Sequence, residues 1–391
     1  MAAEKKSDEE IGPPIVSIGG IVIVNPDPPE PHARPPYRSK SDNFYREMSK
    51  DEFIKLWGPI CLYDTSIQSL RSVKEILYPW WHDINDGKII YNQNPKSTIY
   101  KTKSRLSNAE MVIKVYHVSK KKKEKHFALE VDFVITEYNF VVHTNLLQYH
   151  AICKDDKNDI YIAMEPLNKD LRQYVEERHG INGQGINELQ CKCIVLDILN
   201  NLWIVHVAGY IHNDIKPENI MLRQRSNEPQ FNGWKIIDFD TRFFMGLAKY
   251  KLLPSANGTI GWMPPEVNPL VKHHIFKKDN YLSYGYDIWA LGLIILYILF
   301  GTHPYLIQGY FFENYWYKKK LLKNGKYDMD SDKNKGEIEL RNYLMKLYIN
   351  DQISKQLFDL LHNHMLLFDP RKRSDCKAIY NHPWFDDIRD D

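Results

Sequence analysis

The stretch His212-Asn213-Asp214-Ile215-Lys216-Pro217-Glu218-Asn219-Ile220 sets a carboxylate, a lysine and an amide on one short polar loop. Pro217 by itself would suit an ordinary surface turn, so the reading depends on what surrounds it. Upstream, Met111-Val112-Ile113-Lys114-Val115 places a lysine inside an apolar run; alone, such a lysine reads as an exposed edge charge. Downstream, the strand-like Trp234-Lys235-Ile236-Ile237 runs into Asp238-Phe239-Asp240. Then come Gly258-Thr259-Ile260-Gly261-Trp262-Met263-Pro264-Pro265-Glu266 and Tyr284-Gly285-Tyr286-Asp287-Ile288-Trp289-Ala290-Leu291-Gly292. Asp369-Pro370-Arg371-Lys372-Arg373 and His382-Pro383-Trp384-Phe385 close the series.

Composition bounds what these motifs can belong to. The 391 residues are 43% hydrophobic and 26% charged, enough to bury one two-lobed core and too apolar for wholesale disorder. A formal charge of +2 leaves no global basic field, so neither nucleic acid nor a membrane is expected as a partner. Lys120 to Lys123 with Lys125 form a local cluster that reads as a solvated loop. Five cysteines, with Cys191 and Cys193 two apart in a helical pattern, give neither a disulfide framework nor a zinc spacing. A reducing, cytoplasmic compartment is the expectation, and no secretory leader is read at Met1 to Lys6. The apolar run from Ile288 to Phe300 is about 13 residues, short of the roughly 20 that span a bilayer, and reads as a buried helix.

Along the chain, residues 1–40 are rich in proline and read as an extended tail. Inside it, Ile15 to Val24 is apolar and β-prone, and is expected to add to a sheet edge or to lie on a partner. Residues 41–87 read as a helical extension, with Phe53, Leu56 and Trp57, then Ile67, Leu70, Val73, Ile76 and Leu77, at helical spacings around a break at Gly58-Pro59. Lys88 to Tyr116 reads as successive strands, Glu130 to Val142 as a helix, and Ile160 to Met164 as a further strand; from Leu171 onward helices dominate.

In this order the motifs resemble those of the eukaryotic protein kinase superfamily, serine/threonine branch, over about residues 88–388. The resemblance implies an α+β, two-lobed fold with a small β-rich N-lobe (88–165) and a larger helical C-lobe (166–388). It implies ATP in the cleft near Met164 and Glu165, and magnesium as the metal. Asp214 would orient the attacking hydroxyl and accept its proton, Lys216 would lie against the transferring phosphate, and Asn219 and Asp238 would hold magnesium. Lys114 would grip the α- and β-phosphates and pair with a helix glutamate, Glu130 or, seven residues on and on the same helical face, Glu137. Asp287 would cap the backbone of the Asp214 loop, and Arg373 would meet Glu266 in a buried ion pair. Lys216 and Thr259 stand where serine/threonine kinases keep a lysine and a threonine.

The sequence also departs from that family. Where the phosphate-covering loop carries three glycines, this chain has Asn92, Asn94 and Ser97, which tolerate close backbone approach less well; weaker nucleotide binding is the expected consequence. Asp240 replaces the glycine of Asp-Phe-Gly, and Asn213 replaces the arginine that would answer a phosphate on the activation segment. Two functions are therefore weighed: a serine/threonine protein kinase, and an inactive or nearly inactive scaffold in a larger assembly. The aromatic stretch Tyr310, Phe311, Phe312, Tyr315, Trp316 and Tyr317, within 305–320, and the tail 1–40 offer contacts for a protein substrate or assembly partner.

Overall fold

The computed structural model describes residues 16–18, 21–23, 88–93, 97–103, 110–117, 146–154, 159–180, 183, 185–224, 233–239, 243–244, 258–259, 261–266, 283–303 and 329–389. The helical extension, the Glu130 helix, the Lys120 cluster, Asp240 and the aromatic stretch after Tyr305 lie outside these residues.

The β-prone run in the tail pairs with itself: β1 (Val16–Ile18) and β2 (Ile21–Ile23) are antiparallel, with Val16 opposite Ile23 and Ile18 opposite Ile21. This differs from the expected addition to another sheet edge. Gly19-Gly20 between the strands is the pair of residues that a two-residue hairpin turn favours.

A five-stranded antiparallel sheet follows, in the order β3-β4-β5-β7-β6. Its strands are β3 (Lys88–Gln93), β4 (Ser97–Lys103), β5 (Glu110–Tyr116), β6 (Tyr149–Lys154) and β7 (Ile160–Met164). The β5 strand is central, paired with β4 on one side and β7 on the other, and Met111 to Tyr116 are all buried. Lys114 is thus a buried lysine in the middle of a sheet rather than an edge charge. Within this sheet β6 is the strand not expected from the sequence, since its Tyr149-His150-Ala151-Ile152 carries only weak alternation.

Helices then take over. Asp170 caps α1 (Leu171–His179) by accepting from the Gln173 amide. Asn187 and Gln190 exchange side-chain and backbone hydrogen bonds in a capping box that starts α2 (Glu188–Val207). Short strands β8 (Tyr210–Ile211), β9 (Ile220–Arg223), β10 (Gly233–Ile236) and β11 (Phe243–Phe244) make two hairpin-like pairs, β9 with β10 and β8 with β11. The apolar run read as a buried helix is α3 (Gly285–Phe300), buried from Gly285 to Ile298 and closed by Gly301 at φ 69°, the left-handed turn that glycine takes without strain. Among the described residues no helix is long and apolar enough to cross a membrane.

Against α3 pack α2, α1 and the turn Leu360–Met365; α4 (Met329–Ile349) and α5 (Lys355–Asp359) meet that turn, and α6 (Cys376–Tyr380) lies on α2. Trp289, fully buried, meets Phe368 edge-on with ring centroids 5.6 Å apart. Arg373 stacks over the other aromatic surface of Trp289, its guanidinium 5.0 Å from the ring centroid, and pairs bidentately with Glu266 at 2.6 and 2.7 Å. That core is the platform on which the polar loop rests.

Candidate active site

The loop quoted above spans β8 to β9 and is held from beneath by one carboxylate. Asp287, fully buried in the first turn of α3, accepts from the His212 amide at 2.9 Å with Oδ2 and from the Asn213 amide at 2.9 Å with Oδ1. His206 on α2 donates through Nε2 to the same Oδ2 at 2.9 Å, and its Nδ1 faces the Cys376 sulfur at 3.4 Å. Burial alone would push the His206 imidazole down, but the Cys376 sulfur and the Asp287 carboxylate reverse that and its pKa is pushed up to about 10. Asn213 takes φ 75°, a left-handed conformation that asparagine tolerates better than most side chains.

His212 joins the loop to the neighbouring segment. Its Nε2–H donates to Ile237 O at 3.0 Å, so Nδ1 is left to accept from the Asp214 amide at 3.4 Å. The Ile237 amide in turn donates to Asn219 O at 2.9 Å. Phe239 is fully buried edge-on to His212, which seats Asp238 against the loop; Asp238 has φ 67°.

Two polar groups result. In the first, Lys114 reaches from β5 to Asp238 Oδ1 at 3.2 Å, with its ammonium 4.7 Å from the Tyr116 ring centroid. In the second, Asp214 accepts from Lys216 at 2.7 Å and from Asn219 Nδ2 at 3.1 Å on Oδ2, and from the Thr259 hydroxyl at 2.7 Å on Oδ1. Lys216 also donates to Thr259 Oγ1 at 2.8 Å, closing a ring of three side chains. Thr259 follows a tight backbone approach. At Gly258, φ 147°, a Cβ would lie 2.7 Å from Asn213 O and 2.6 Å from the Tyr286 hydroxyl.

The donor set suits a hard cation beside a polyphosphate. The amide nitrogen of Asn219 is engaged by Asp214 O at 2.9 Å as well as by its carboxylate, which leaves the Asn219 side-chain oxygen as the ligand atom, and Asp238 adds a carboxylate oxygen.

Other site residues read from the sequence sit differently. Asn92 and Ser97 lie within the β3–β4 ladder, Asn92 opposite Thr98 and Ser97 opposite Gln93. Ser97 is buried at 4% exposure. Asn94 and Glu130 lie outside the described residues. Met164 ends β7 opposite Val112 and Tyr149.

The side chain of Glu165, next to Met164, is taken up by a buried ion network. It is buried between Arg223 Nε at 2.8 Å and Lys235 Nζ at 2.9 Å, and it accepts from the Gln148 amide at 3.0 Å. Lys235 also donates to Leu146 O at 2.6 Å, so the network ties the ends of the sheet strands to β9 and β10. Burial would push the Glu165 carboxyl up; the Lys235 and Arg223 cations overcome that and hold it below the usual carboxylate range. A depressed folded pKa means stability that is present above about pH 4.3 and lost as pH falls through the folded value. Glu165→Gln is therefore expected to unfold at lower denaturant than wild type at pH 7, with the gap narrowing in acid; an equal gap at pH 7 and pH 3 would contradict this.

The Thr259 contact was not drawn from the sequence, where Thr259 served only as a marker of hydroxyl preference. Because that bond belongs to the resting state, Thr259→Ala is expected to destabilise the unliganded protein by about 1.5–3 kcal/mol, the worth of a hydrogen bond to a charged group, while turnover changes little. Thr259→Ser should keep most of that stability, as melting curves and steady-state rates of the two variants will show.

A lysine paired with one aspartate, next to an aspartate ringed by lysine, asparagine and threonine, is the equipment of a phosphotransferase acting on a hydroxyl. The protein kinase domain matches residues 95–385, and the chain belongs to that family, with its two-lobed fold. It is similar to the serine/threonine-protein kinase cds1 of Schizosaccharomyces pombe, 28% identical over 279 residues, covering 68% of this chain and 49% of the relative. A putative serine/threonine-protein kinase, R517/R518, of Acanthamoeba polyphaga mimivirus is 26% identical over 295 residues, 71% of this chain and 57% of its own. The DNA damage response protein kinase DUN1 of Saccharomyces cerevisiae is 23% identical over 311 residues, 74% of this chain and 53% of the relative. The chain thus spans about half the length of these relatives.

Proposed function

We propose that this chain is a serine/threonine protein kinase that transfers the γ-phosphate of ATP to a protein hydroxyl. The observation that carries the reading is the convergence of Lys114 with Asp238 beside the ring formed by Asp214, Lys216 and Thr259. Asp214 takes the proton of the incoming hydroxyl, which replaces Thr259 as the donor at Oδ1. Lys216, next to Asp214, neutralises charge on the transferring phosphate, and Lys114 holds the phosphates behind it. Magnesium, held by Asn219 and Asp238, would supply charge neutralisation on the phosphate oxygens. The glycine-poor β3–β4 hairpin and Asp-Phe-Asp fit a kinase with a weakened grip on its nucleotide. Free Cys191, Cys193 and Cys376 fit a reducing, cytoplasm-like compartment. Protein contacts through 1–40 and 305–320 belong to the same reading; unchanged co-purifying partners after deletion of 1–40 would remove the tail from it.

Magnesium-ATP at millimolar concentration should raise the melting temperature. With ligand at about ten times Kd the gain is about 1.4 kcal/mol, or about 3–5 °C for a domain of this size. Lys114→Met should abolish the shift. Wild-type protein that shows neither a shift nor phosphate incorporation would favour the scaffold.

A further inference from the structure

We infer that Asp359, His364 and His382 form a binding site for a divalent transition-metal ion of the zinc class, sharing no residue with the active site. One ligand atom from each of the three lies within 4.8 Å of the others.

The backbone accounts for the convergence. Asp359 ends α5, and the chain continues from Leu360 to Met365 as a π-helical turn, with the Leu366 amide donating to Leu361 O at 2.9 Å. In an α-helix, residues five apart point about 140° away from each other. The wider π turn instead stacks position i over i+5, which brings His364 onto the face of Asp359. Such turns are rare and concentrate at functional sites. From the other side comes His382, the cap of the turn Pro383–Phe385, with its ring 5.0 Å from that of His364.

Surrounding groups orient the ligands. Asn363 Nδ2 donates to Asp359 Oδ1 at 2.6 Å, and Asp359 Oδ2 lies 3.1 Å from His382 Nε2. Nδ1 of His364 bonds the Ser374 hydroxyl at 2.9 Å, leaving Nε2 as its free ligand atom. Two imidazoles and one carboxylate form a nitrogen-rich set that suits zinc, cobalt or nickel and disfavours magnesium and calcium. The Asp359 side chain is 48% exposed, so water can complete the coordination.

One contact opposes the ion. His382 Nδ1 accepts from the Trp384 amide at 3.2 Å, so Nε2 now carries the proton that faces Asp359. An ion at Nε2 requires the other neutral tautomer, with the proton on Nδ1, which turns Nδ1 from acceptor into donor and breaks its bond from the Trp384 amide; that cost sets the affinity below that of a closed four-ligand site.

The test is a cobalt chloride titration of the full chain at neutral pH, followed by visible absorption, with saturating magnesium present to hold the active site. One cobalt band per chain, displaced by zinc chloride, is expected. His364→Ala and Asp359→Asn should each lose the band while keeping wild-type circular dichroism, and Ser374→Ala should weaken cobalt binding about 10-fold. No band in the wild type, or a band unchanged in His364→Ala and Asp359→Asn, overturns the site. His382→Ala also removes a helix cap, so the two partly exposed ligands decide the outcome.

Discussion

Asp214→Asn is expected to lower the turnover number for phosphate incorporation by about 10²–10⁴-fold, the range that a positioned general base contributes. The substitution keeps the shape of the side chain and its contact with the Asn219 amide, but it removes the oxygen charge that a hydroxyl proton can move to. It also leaves Lys216 facing a neutral group at a 2.7 Å contact. The fold should survive, because the loop backbone hangs on Asp287 and not on Asp214. Rates and melting curves on the same preparation separate the effects. Unchanged incorporation in Asp214→Asn would show that the activity comes from elsewhere, and a collapsed melting curve would show that Asp214 is structural.

Arg373→Ala should produce the largest loss of stability, about 3–5 kcal/mol, the usual cost of removing one partner of a buried ion pair. Glu266 would be left ionised with its side chain only 4% exposed. The guanidinium also donates to Leu367 O at 2.8 Å and Gly285 O at 2.9 Å, so two buried carbonyls lose a donor as well. At about 2–4 °C per kcal/mol, the melting temperature should fall by about 10 °C. Arg373→Lys should recover little, since a lysine cannot reproduce two parallel bonds to Glu266 together with the contact on Trp289. A fall of less than a degree would show that the pair contributes nothing net.

Much of this was legible in the sequence because the motifs carry their own constraints. The resemblance put Asp287 beneath the Asp214 loop, and the structure shows it buried at the start of the apolar helix, where the His212 and Asn213 amides supply the donors that a buried carboxylate needs. Lys114 by itself read as an exposed edge charge, and only its order among the motifs gave it a place in the site; the structure puts it in a central strand. What escaped was long-range side-chain partnership. The side-chain partners of Glu165, Arg223 and Lys235, are far along the chain and nothing local announces them. Thr259 likewise meets Asp214 across 45 positions. The Gly19-Gly20 hairpin was a local signal and was readable; the β-propensity around it drew attention to sheet edges instead. The π turn at Leu360–Met365 has no sequence code of its own, and it alone decides which residues face His382.

The triangle of Asp214, Lys216 and Thr259 has a kinetic meaning. In the proposed reaction an incoming alcohol finds Oδ1 of the carboxylate already bonded to a hydroxyl of the same chemical kind, so docking is an exchange of like for like and not the capture of a bare anion. The resting enzyme therefore avoids a desolvated charge between turnovers, and the threonine acts as a placeholder for its own substrate.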